Sequence, residues 1–197
     1  VGPCCEVKDR AGELIGGEAR ELARLALNPR PVDSAVGLAT INAVLNRELE
    51  GETGDILEFV ELQPEVKLGM VGYFGPLINQ LQDKVDLYVF ERQIQEAGVY
   101  PDWAAEQYLP EMEAVILSGT TVVNRTLEHL LEKCDRAREI MVLGPTTPLA
   151  PEILKAHGAT VLGGTVIQKP GQALDIISQG GGTRTLQRTG EKVTLRL

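Results

Sequence analysis

The chain has 197 residues, 43% of them hydrophobic and 24% charged, an ordinary globular composition with room for one full core and a small second lobe. A formal net charge of −9 and a pI near 4.8 argue against a nucleic-acid partner, because the long-range field repels a polyanion. No apolar run approaches the roughly 20 residues a membrane-spanning helix needs, there is no signal-peptide pattern, and three cysteines make no disulfide framework, so a reduced, cytoplasmic setting is expected.

The first third reads as helical. Gly17 to Leu27 places Ala19, Leu22, Ala23 and Ala26 on one face, and "NPRP", Asn28 to Pro31, stops it. Asp33 or Ser34 offers an N-cap for a second helix over Ala35 to Leu49. Its stripe runs Ala35, Leu38, Asn42, Leu45, Leu49, with Asn42 a polar side chain in an apolar row. "EGETGD", Glu50 to Asp55, is a turn or linker, and a short helical segment follows as far as Gln63-Pro64.

From Lys67 the pattern alternates short apolar runs with amphipathic helices. Strands are expected at "KLGMVGY", Val85 to Glu91, Glu113 to Gly119, Glu139 to Gly144 and Thr160 to Gly164. Helices are expected after Pro76, over "PDWAAEQYL" with Asp102 as cap, and over Asn124 to Cys134 with Leu127, Leu130, Leu131 and Cys134 inward. Two more are expected from Leu149 to His157, closed by Gly158, and from Gly171 to Ser178. "TLQRTGEKVTLRL" reads as a terminal hairpin. The alternation predicts an α/β fold, a Rossmann-like doubly wound parallel sheet of about five strands behind a small helical lobe, with domains at 1–63 and 64–197.

In such sheets ligands bind beyond the carboxyl ends of the strands. Three loops there stand out. "GYFGP" follows the first strand, with Gly72, Tyr73, Phe74 and Gly75. Its glycines, at 69, 72 and 75, do not match the G-x-G-x-x-G dinucleotide fingerprint. Gly75 is expected to permit the tight turn and Pro76 to open the helix, whose first N–H groups suit an anion. Phe74 occupies space a dinucleotide loop leaves empty. "SGTTVVN" supplies Ser118, Gly119, Thr120, Thr121 and Asn124, the last readable equally as a helix cap. "GPTTPL" supplies Gly144, Pro145, Thr146 and Thr147. Two Thr-Thr loops after successive strands suggest a shared polar pocket, and a strand order 2-1-3-4-5 makes these three loops neighbours. Glu91 ends the second strand, a ribose-contact position in nucleotide-binding folds or a plain solvated charge; Arg92 is placed to neutralise it or to meet a ligand acid.

Metal signals are weak, and no metal ligand is assigned. Cys4-Cys5 lacks zinc-knuckle spacing, Cys134 lies on a core stripe, His129 faces outward and His157 suits a helix C-terminus. No Ser-His-Asp or Cys-His pairing emerges, so catalytic residues and cofactor are left unassigned.

Together, "AGELIGGEARELARLAL", "GLATINAVLN", "VGYFGPLI", "LSGTTVVNRTLEHLL" and "LGPTTPLAPEILKAHGATVLGGTVI" resemble the putative heavy-metal chelation domain family, from about Ala11 to Gly182. The pair "SGTTVVNRT" and "LGPTTPLAP" carries most of the specificity. The resemblance implies an N-terminal lobe similar to the enolase N-terminal domain, a Rossmann-like C-terminal domain and a pocket between them. It also implies a strand meander for which only Val1 to Val7 remain here, so that either the lobe is truncated or residues precede Val1. Asn42 would then face the inter-domain cleft.

The reading that follows is a small-ligand or metal-chelate binding protein, possible homo-oligomer included, whose pocket is lined by the three loops, Asn42 and Glu91. An enzyme acting on a metal-chelating molecule is one form of it. A poor Cys and His supply favours a chelate over a bare soft metal. The alternatives are a transferase using a nucleotide-like cofactor such as S-adenosylmethionine, and a non-catalytic interaction module.

Overall fold

The computed structural model describes residues 11–47, 51–54, 56–60, 62–93 and 97–197. Cys4, Cys5 and the reading made on them lie outside these.

The helical start is α1 (Ala19–Ala23), a 3-10 turn (Arg24–Leu27) and α2 (Pro31–Leu45). α2 begins at Pro31, not after Asp33 or Ser34. Proline suits a first helical position because its N–H would have no partner there and its φ is preset, and Arg30 stays extended at the cap. Asp33 and Ser34 are therefore buried within the helix rather than capping it. Ala35 and Leu45 of the expected stripe are exposed, while Leu38 is buried.

The sheet follows. Its strands and helices are, in order, β1 (Glu52–Thr53), β2 (Lys67–Val71), α3 (Gly75–Leu81), β3 (Asp86–Glu91), β4 (Val99–Pro101), α4 (Ala105–Tyr108), β5 (Ala114–Ser118), α5 (Thr120–Val123), α6 (Leu127–Glu132), β6 (Glu139–Leu143), α7 (Pro151–Ala156), β7 (Val161–Ile167), α8 (Pro170–Ser178), α9 (Thr183–Leu186) and β8 (Gly190–Arg196). The order across the sheet is β1-β8-β7-β6-β5-β2-β3-β4. β2 to β7 run parallel, and β8 is antiparallel to both β7 and β1.

The five expected strands thus take the expected order 2-1-3-4-5, and the doubly wound class holds. Two strands, β1 and β4, were not anticipated, and the C-terminal one pairs differently from the expectation. β4 is a short edge beyond β3. The expected terminal hairpin is instead α9 and a single strand, β8, because β7 runs on to Ile167 and offers a long open edge. β8 fills it from Val161↔Arg196 to Ile167↔Gly190. β1 pairs in turn with β8 at Glu52↔Thr194 and Thr53↔Val193.

Side chains alternate across the central strands, and both faces are covered. On one face Val115, Leu117, Ile140 and Val142 pack with Leu109, Leu127, Leu130, Leu131, Cys134 and Leu154, from the helical segments around α4, α6 and α7. On the other, Leu68, Met70, Ile116 and Met141 pack with Leu77 and Leu81 of α3 and with Ile56 and Val60. Each fully buried aliphatic side chain contributes about 2 kcal/mol of transfer free energy. The helix expected over Asn124 to Cys134 is α6 and begins only at Leu127: Arg125 takes a left-handed φ of 61° and separates it from α5, a short helix inside the preceding loop.

Candidate functional site

β2 connects outward to β3, and β5 connects the other way to β6, so the C-terminal ends of β2 and β5 form the topological switch point. The three loops singled out in the sequence meet around it.

The first loop turns at Gly72, whose φ is 103°, and not at Gly75 as expected. Only glycine adopts that backbone without strain, and a Cβ there would also lie 2.8 Å from Ser118 Cβ. The Gly72 N–H donates to the Phe90 carbonyl at 2.9 Å, and the Tyr73 N–H to Glu91 Oε2 at 3.1 Å. Glu91 Oε1 accepts the Arg92 N–H at 2.7 Å. Both carboxylate oxygens of Glu91 therefore hold backbone, pinning the glycine turn to the end of β3. The Arg92 guanidinium points to Asp102, Nε to Oδ2 at 3.3 Å, rather than to Glu91. The Phe74 ring lies between two loops: a Cβ on Gly72 would be 3.6 Å from its Cε2, and one on Gly144 4.0 Å from its Cε1.

The second loop is organised by its own hydroxyls. Ser118 Oγ and Thr120 Oγ1 share a hydrogen bond of 2.9 Å, and Thr121 Oγ1 donates to the Ser118 carbonyl at 2.6 Å. Asn124 Oδ1 accepts from the Thr126 N–H at 3.2 Å and the Thr126 hydroxyl at 2.7 Å, a local turn ahead of α6. Gly119 N–H donates to the Leu143 carbonyl at 2.7 Å, joining this loop to the end of β6.

The third loop presses against the second. A Cβ on Gly119 would sit 2.6 Å from both the N and Oγ1 of Thr147. Gly144 N–H reaches the Gly163 carbonyl at 2.9 Å, and Thr147 N–H returns to the Gly144 carbonyl at 3.0 Å. Pro145 is exposed, Thr146 half-buried and Thr147 fully buried.

α2 lies across both threonine loops. Ser34 Oγ donates to the Val123 carbonyl at 3.1 Å, and Asn42 Nδ2 to the Thr146 carbonyl at 2.9 Å. Asn46, just past the helix, is buried; its Nδ2 donates to the Thr147 carbonyl at 2.9 Å and its Oδ1 accepts the Leu149 N–H at 2.8 Å. The side chains at 34, 38, 42 and 46 form one i, i+4 row, so the polar member of an apolar stripe is one of three that read the loops' backbone. Asn46 was missed because the stripe was drawn through Leu45 and Leu49. Its spacing from Asn42 was the available signal.

Two buried side-chain atoms have no hydrogen-bond partner among the described residues: Asn42 Oδ1 and Thr147 Oγ1. They belong to α2 and to the third loop, the two elements that meet here. An open cleft of about 640 Å³ runs along α1 and includes none of the site residues.

The donor set at these loops is hydroxyl, amide, backbone and one engaged carboxylate. Among the described residues the soft ligands lie elsewhere. Cys134 Sγ donates to the Leu130 carbonyl at 3.1 Å inside the core, and burial, then the Asp135 charge, push its thiol up to about 12, so it stays protonated. His129 pairs with Glu106 at 3.3 Å on the surface, and His157 is exposed. Among the described residues no group of three or more His, Cys, Asp or Glu is arranged to hold a metal ion, and no helix is long and apolar enough to cross a membrane. These hard oxygen and nitrogen donors do not suit a bare soft heavy-metal ion.

Comparison with known proteins agrees with the fold. The family DUF364, described as "Putative heavy-metal chelation", matches residues 55–196, and DUF4213, with the same description, matches 1–45. The chain is 33% identical over 175 residues to the uncharacterized protein MJ0500 of Methanocaldococcus jannaschii, covering 84% of this chain and 67% of that one. A DUF364-family protein of unknown function from Desulfitobacterium hafniense superposes with a TM-score of 0.82 at 34% identity, over 91% of this chain and 74% of that one. Another from Pyrococcus horikoshii superposes at 0.85 with 27% identity, over 98% and 80%.

Proposed function

The chain belongs to the family DUF364, described as "Putative heavy-metal chelation", and on that premise we propose that it binds a small organic ligand or metal chelate where α2 meets the loops at the carboxyl ends of β2, β5 and β6. The observation that carries the reading is the pair of unpartnered polar atoms, Asn42 Oδ1 and Thr147 Oγ1. Leaving such atoms unmet costs about 1–3 kcal/mol each, a cost that a ligand with matching groups removes. They lie among loops rich in glycine and hydroxyls, where the Phe74 ring between Gly72 and Gly144 offers a flat apolar surface. In this reading Asn42, Thr146 and Thr147 meet the polar edge of the ligand, and Ser118 and Thr120 take further hydrogen bonds. Glu91 positions the glycine turn. The metal is cargo, held by the chelating molecule.

A thermal-shift screen tests this, with divalent metals alone, metal chelates and pterin- or flavin-type heterocycles in separate arms. A chelate or heterocycle is expected to raise the melting temperature where metal alone does not. Thr147→Val should abolish that rise without lowering the stability of the free protein, since it removes an unpartnered hydroxyl. No shift from any chelate or heterocycle would sink the reading. The position of Glu91 at the end of the second parallel strand favours one rival, a transferase using a cofactor such as S-adenosylmethionine. Stabilisation by adenosine cofactors that Glu91→Ala removes would establish that rival instead.

A further inference from the structure

The opposite end of the sheet carries a different chemistry. β2, β5 and β6 are neighbours there, and the residues at their starts are Lys67, Glu113 and Arg138. With Glu111 and Arg136 they line a cleft of about 420 Å³. Its two carboxylates are partly engaged. Glu113 Oε2 accepts the Lys67 N–H at 3.2 Å, and Glu111 Oε2 lies 3.8 Å from Lys67 Nζ. Glu113 is also held by its backbone: its N–H donates to the Lys67 carbonyl at 2.9 Å, and its carbonyl accepts the Arg138 N–H at 2.8 Å. The guanidiniums of Arg136 and Arg138 form no ion pair or hydrogen bond with any described residue, and both are exposed.

On a chain with 28 acidic and 19 basic side chains, two unpaired arginines facing one cleft stand out. Each guanidinium is a planar fork that binds oxyanions through two parallel N–H bonds, and Lys67 adds a third cation. We infer that this cleft is a second binding site, for an oxyanion of the phosphate class, held by Arg136, Arg138 and Lys67. Glu111 works against binding and sets its strength, because it shares Lys67 with the incoming anion. The site is independent of the ligand cleft at the other end of the sheet.

Calorimetric titration at constant ionic strength tests it, with inorganic phosphate, pyrophosphate and glucose 6-phosphate as probes and chloride as the control. Saturable binding of a phosphate-class probe is expected, weakened about tenfold or more in Arg136→Ala/Arg138→Ala and tightened in Glu111→Gln. Saturation by inorganic phosphate identifies the free ion as sufficient, and saturation by glucose 6-phosphate alone identifies the ester. Thr147→Val should leave this binding unchanged, which separates it from the proposed ligand cleft. The inference is overturned if no probe saturates, or if the double-alanine chain, checked for an unchanged melting temperature, binds as the parent does.

Discussion

At the C-terminal end of the sheet, Gly119, Thr147 and Asn46 are buried, and backbone and amide hydrogen bonds tie each loop to its neighbours. At the N-terminal end, Lys67, Glu111 and Arg138 are charged and largely solvated, with only a long ion pair between the first two. The same parallel strands carry both ends. Crossover connections leave tight, mutually packed turns where α2 lies across them, and looser, water-facing turns at the other edge. Hydrogen bonds at the first end are shielded from water and depend on a few atoms, whereas charges at the second are screened and individually weak.

The largest test of that contrast is Asn46→Ala. It leaves the Leu149 N–H and the Thr147 carbonyl without their partner in a buried position, so a loss of about 3 kcal/mol is expected in denaturant unfolding. Asn46→Asp should be no better, because a carboxylate would face the Thr147 carbonyl. Next comes Gly119→Ala. The backbone at Gly119 is ordinary right-handed, so the expected loss of about 2 kcal/mol comes from the methyl meeting Thr147 N and would appear with an unchanged m-value. Smallest is Glu111→Gln, which removes a solvated pair and should shift stability by less than about 0.5 kcal/mol. A loss at Glu111 as large as that at Asn46 would erase the distinction between the two ends.

Much of this was legible beforehand. The alternation of apolar runs with amphipathic segments marked the five central strands, because buried parallel strands need continuous apolar runs and each crossover helix must show one apolar face, and the likeness of the two threonine loops pointed to their order. The two threonine loops were also visible as loops. Less visible was which hydroxyls face outward. Thr121 and Asn124 hold their own turns, and Glu91 holds backbone, because short polar side chains bond the nearest N–H or carbonyl once the chain is folded.

Asn46 and the edge strands mark the boundary between the two kinds of information. Local pattern determined the α/β class, the inward faces of the central elements and the family resemblance, since these depend on periodicity and on residues near each other in the chain. Only the tertiary structure decided that α2 reads the loop at 146–149 some hundred positions away, that β8 closes the open edge of β7, and that Lys67, Glu111, Glu113, Arg136 and Arg138 share one cleft. Long-range contacts of that kind leave no period in the sequence. They arise because a twisted sheet brings together whatever residues happen to begin or end its neighbouring strands.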